Sequence, residues 1–157
     1  MSVKDSFSPE EWKSVAQSPF YVSAAIGMSD PGGPFGLMKE GWALSREVKE
    51  AMDGKHGELA MEVASEIRSH RPTRRDLIGD ATNPEEAQAH AMRALTSMAA
   101  LVQKAGPDAA PFLHWLNSSA QAIAEAGREG GFLGFGGESV SAEEKVALGK
   151  VRVALGQ

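Results

Sequence analysis

The sequence predicts an all-α protein, a single-domain bundle of about seven helices with two glycine-rich interhelical loops. Three observations carry this. Apolar residues recur at three- and four-residue steps in almost every segment, which is the helical period. Alanine, leucine, valine and methionine supply most of a 42% hydrophobic content while aromatics reach only 6%, a balance that favours helix over strand. Serine, asparagine and proline stand just ahead of these segments, and glycine or proline follows them.

The elements follow in order. Phe7-Ser8-Pro9-Glu10-Glu11-Trp12 opens the first helix: Ser8 is the cap, Pro9 suits the first turn, Glu11 completes a capping box, and Phe7 and Trp12 have staple spacing. Ser18-Pro19 is expected to end it, because proline lacks the N–H a helix interior needs. A second helix, Phe20 to about Met28, is apolar round most of its circumference and is expected to be central. The first glycine-rich loop runs from Asp30 to Gly36. A third helix covers about Leu37 to Met52, and a fourth Gly57 to Ser69 with Leu59, Ala60, Val63, Ala64 and Ile67 inward.

His70 to Arg75 reads as a basic turn, and Asp76 to Asp80 shows no period. Asn83-Pro84-Glu85-Glu86 starts a fifth helix that reaches about Lys104. Asp108 is placed to cap a sixth, with Phe112, Leu113, Leu116, Ala120, Ile123 and Ala124 inward. The second glycine-rich loop, Gly130 to Glu138, carries Phe132, Leu133 and Phe135. The last helix starts at Ala142, with Ser141 as cap and Glu144 in capping-box position. Val146, Leu148, Val151 and Leu155 are expected to form its inner face, and Gly149 to mark close approach to a neighbouring helix.

A chain of 157 residues matches one domain, residues 1–157, and can bury a self-sufficient core. A net charge of −5 argues against general nucleic-acid binding, which needs cations for the phosphates. No cysteine is present, so thiolate metal sites are excluded. No run approaches a membrane span, and the polar start shows no secretory signal, so the expected location is cytoplasmic.

Catalytic motifs are missing: no His-Glu-x-x-His, no Gly-x-Ser-x-Gly and no phosphate-loop order of glycines. Asp30, Glu138, Glu143 and Glu144 form an oxygen-donor set suited to Ca²⁺, Mg²⁺ or Mn²⁺ if the two glycine loops meet. Arg71, Arg74 and Arg75 are expected to be a solvated turn. Met38, Met52, Met61, Met92 and Met98 are expected to be core filler.

Gly136-Gly137-Glu138-Ser139-Val140-Ser141-Ala142-Glu143-Glu144, followed by Leu148 and Ala154-Leu155-Gly156, resembles the C-terminal motif of TerB-like proteins, the tellurite-resistance-associated helical family. It is also similar to small bacterial helical proteins with a Gly-Gly-Phe-Leu-Gly-Phe-Gly-Gly loop. The resemblance spans about the last fifth of the chain. It implies an all-helical domain, acidic loop residues that bind a divalent metal, and a part in stress-response assemblies. Asp30 and Glu144 match that family's acids, while Phe135-Gly136-Gly137 stands where its second loop has an aspartate. The function expected is a non-enzymatic interaction module, responsive to a divalent ion and binding a protein partner or itself. The alternatives are a small-molecule-binding or hydrolytic protein with a pocket near Trp42, Trp115 and Phe132, and a structural homo-oligomer joined through Phe132 to Phe135.

Overall fold

A computed structural model describes residues 2–27, 34–128 and 142–157, with side chains described throughout these ranges except at 34–42, 127 and 128. Among them are seven α-helices and no strand: α1 (Pro9–Gly27), α2 (Pro34–Met52), α3 (Glu58–Ser69), the single-turn α4 (Arg74–Ile78), α5 (Pro84–Val102), α6 (Ala109–Arg128) and α7 (Ala142–Ala154). Short 3-10 segments precede α1 (Val3–Ser6) and α6 (Gln103–Asp108).

The first two predicted helices are one. Helix α1 runs straight through Pro19, which is buried. Pro19 has no N–H for the carbonyl of Val15, four residues back. The hydroxyl of Ser18 donates to that carbonyl instead, at 2.7 Å. Ser18 and Val15 are both fully buried, so water cannot take over. Ser18→Ala is therefore expected to lower stability by about 1–3 kcal/mol, the penalty for an orphaned buried acceptor. A urea midpoint unchanged from wild type would contradict this account of the proline.

Helix α1 is the axis of the bundle and touches all six other helices. Its main partner is α5. The two run antiparallel: Lys104, just past α5, bonds Glu11 at 2.6 Å, while Gln88 near the start of α5 donates to the Ala25 carbonyl at 3.0 Å. Helix α2 lies along α6. These are antiparallel too, since His56, beyond the C-terminus of α2, stacks on Trp115 with ring centroids 6.2 Å apart. The core between them holds Val22, Ile26, Leu59, Leu95, Met98, Phe112, Trp115, Leu116 and Ile123, all at most 1% exposed.

Local signals explain the starts of α1, α4 and α5. The Ser8–Glu11 capping box forms in both directions, at 2.9 and 3.3 Å, with Phe7 packed on Trp12. Asn83 accepts from Glu86 N–H at 2.9 Å with Pro84 in the first turn. Two readings need correction. The aperiodic stretch after Arg75 belongs to α4, a single turn fixed by a Thr73–Asp76 capping box. Asp108 accepts from Glu58 N–H at 3.2 Å and so caps α3, where Gly57 has no side chain to do it.

Carboxylates tie the elements together. Glu66 accepts from Lys4 Nζ at 3.0 Å and Trp12 Nε1 at 3.2 Å, and pairs with His70 at 3.0 Å. Asp76 joins α4 to α1 through Lys13, also at 3.0 Å. The Thr73 backbone N–H, then Lys13 and the Thr73 hydroxyl, hold the Asp76 carboxyl down to about 2. Hydrogen bonds likewise lower Glu11, Glu66 and Glu86. For a lowered carboxyl, the folded state holds its proton less tightly than the unfolded one. Its stabilisation is complete above the unfolded value and is lost as pH falls through the folded value. For Asp76 that window runs from about pH 4 to about pH 2. The urea midpoint is expected to fall across it, and Asp76→Asn to flatten the fall; equal slopes in the two proteins would refute the assignment. Glu47, raised mainly by burial, acts in the opposite sense, and its contribution fades as pH rises.

Candidate functional site

Helix α7 turns its Ala147, Val151 and Leu155 into the core. It ends on Gly156, at φ +71°, with Gly156 N–H to Val153 carbonyl at 3.1 Å and Gln157 N–H to Arg152 carbonyl at 2.9 Å. This pair of bonds is a Schellman closure, which needs the left-handed conformation that glycine adopts freely. With that face inward, Ala142, Val146, Gly149 and Val153 point outward, and all four are exposed. Their steps of four, three and four residues place them within about 60° of one another around the helix axis.

This reverses the sequence reading of Val146, which is 59% exposed rather than inward. Val153 is 79% exposed, and these two are the most exposed large apolar side chains among the described residues. Gly149 also departs from expectation. Among the described residues, a Cβ built there meets no atom within 4 Å, so no described neighbouring helix approaches it. Lys145 and Arg152 border the apolar stripe on one side and Lys150 and Glu143 on the other, all exposed. The border therefore carries three cations and one anion on a chain whose net charge is −5.

The acidic set predicted from sequence falls elsewhere or divides. Asp30 and Glu138 lie outside the described residues, as do Phe132 to Phe135 and most of both glycine-rich segments. The helix ends Gly27, Pro34 and Arg128 that border those segments share one pole, as the antiparallel pairings require. Glu143 is exposed while Glu144 is 6% exposed, so these adjacent carboxylates diverge around the helix. Among the described residues, no group of three or more histidines and acids has the geometry to hold a metal ion.

Other polar places were also legible only in part. A groove of 280 Å³ lies between the N-terminal segment and α3, lined by Ser2, Lys4, Trp12, Glu62, Glu66 and His70 among others. Its carboxylates already serve the fold, since Glu62 accepts from Ser2 Oγ at 2.5 Å and Lys4 N–H at 2.7 Å. His56 Nε2, Trp115 Nε1 and Ser119 Oγ are buried without hydrogen-bond partners. Ser119 and His56 are thus not bonded to each other, although Glu50 stands 4.0 Å from His56. The serine–base bond that activates a hydroxyl nucleophile is not formed there. Arg71, Arg74 and Arg75 are exposed, as expected, and Arg75 pairs loosely with Asp80 at 3.5 Å. Met98 fills the core, whereas Met61 is 41% exposed. No helix among the described residues is long and apolar enough to cross a membrane.

Compared with protein-family models, with curated proteins and with solved structures, the chain matches none.

Proposed function

We propose that the protein is a non-enzymatic helical interaction module that docks a partner helix along the outer face of α7. The observation that carries this is Gly149 lying in the open between Val146 and Val153. Glycine inside a helix is less favourable than alanine by roughly 0.5–1 kcal/mol, and apolar side chains in water forgo their burial. Both disadvantages fall on one stripe, and nothing among the described residues offsets them. A helix from another chain offsets both, because it covers the valines and its backbone comes close where Gly149 lacks a side chain.

The glycine provides the test. In the isolated protein Gly149→Ala is expected to raise stability by about 0.5–1 kcal/mol, seen as a rise in melting temperature of about 2–3 °C. The same change is expected to weaken docking, because the added methyl holds the partner away. A fall in melting temperature would place the glycine in intramolecular use and remove the proposal.

A further inference from the structure

The geometry points to a particular occupant for this face: an amphipathic helix of another protein, with carboxylates bordering its apolar seam. The inference rests on the docking reading of α7 and adds the partner's chemistry.

Ala142, Val146, Gly149 and Val153 follow one another at steps of four, three and four residues, the alternation of the seam positions between two long-packed helices. A strand or an irregular loop has no use for that period. Helix α7 has 13 residues, so at 1.5 Å per residue it offers about 20 Å of seam, enough for a partner of about four turns. Gly149 sits mid-seam, where the partner's ridge comes closest.

Charge selects the partner. In heptad terms Lys145 and Arg152 precede the seam positions on one flank, while Glu143 and Lys150 follow them on the other. Pairing with a second copy in parallel sets Lys145 against Lys150. Pairing in antiparallel sets Lys145 against Arg152, and the attraction of Glu143 for Lys150 on the other flank only offsets that repulsion. A helix with glutamates or aspartates on both flanks meets attraction at Lys150 on one flank and at Arg152 on the other. Complementary borders of this kind set partner choice and orientation in packed helices.

Two synthetic helical peptides with the same leucine–alanine seam provide the probe, one with glutamate and the other with lysine at every flanking position. Fluorescence anisotropy with the full chain is expected to give the glutamate peptide a Kd at least about tenfold lower, with the difference shrinking as salt is raised. The variant carrying both Lys150→Glu and Arg152→Glu should reverse the preference. Gly149→Leu should abolish binding of either peptide while leaving the melting temperature within about 2 °C of wild type, since the new side chain enters open space. Equal affinities that Gly149→Leu still abolishes would overturn the charge assignment and leave the docking face standing. No binding of either peptide at about 100 μM would overturn both. Two further outcomes would replace the acidic helix with another occupant. One is self-association in sedimentation that Gly149→Leu removes. The other is flotation with phosphatidylserine vesicles that Arg152→Glu removes.

Discussion

Trp115→Ala is expected to lower stability by about 3–5 kcal/mol, the largest loss of any single substitution considered for this protein. Trp115 is fully buried, packs against Phe112 with centroids 5.7 Å apart, and has His56 stacked with it at 6.2 Å. Its removal opens a cavity in the α2–α6 seam and also frees the turn that leads into α3. For a chain of this length the melting temperature should drop by roughly 10–15 °C. Calorimetry on the variant checks it, and a drop of under about 3 °C would mean that the seam does not depend on this ring. The indole N–H is buried without a partner, so part of the packing gain is already offset in the wild type.

Gly79→Ala comes next, at about 2–3 kcal/mol. Gly79 closes α4 at φ +59° and ψ −135°, a conformation that side chains with a Cβ rarely adopt. A Cβ there would also stand 2.9 Å from His90 Nδ1. Two separable effects are therefore combined. In a double-mutant cycle, His90→Ala should recover the part due to the clash and leave the backbone strain in place. Complete recovery, or none, would contradict that division.

Helix existence and caps were readable from sequence because they are local. Ser8 with Glu11, and Asn83 with Pro84, announce their helices within four residues. The inner faces of α3 and α6 were readable for a related reason: a wide apolar stripe leaves one choice of orientation. Pro19 was misread because its remedy, the Ser18 hydroxyl, works only where burial and the Val15 carbonyl coincide. Asp108 was assigned to its own helix because its true recipient, Glu58, is 50 residues away in sequence. Helix α4 escaped because one turn is too short to show a period.

The candidate site came from the error with the most consequence. Helix α7 has apolar residues on two sides: Ala147, Val151 and Leu155 on one, Val146 and Val153 on the other. Periodicity alone cannot say which side faces the core. The sequence reading mixed them, taking Val146 inward with Val151 and Leu155. Once the core has claimed the first set, the second is left outside with Gly149 between its valines. The expectation that Gly149 marks close approach to a neighbouring helix is not met among the described residues, where a Cβ at that position finds open space.

The central claim is that the outward stripe of α7 receives a partner helix. Amide chemical shifts of the isotope-labelled chain, followed while the glutamate-flanked peptide is added, test it most directly. The account predicts saturable shifts concentrated at 142–153, largest around Gly149, with little change at Ser2, Lys4, Glu62 and His70. Shifts centred on that N-terminal groove, with α7 silent, would contradict it.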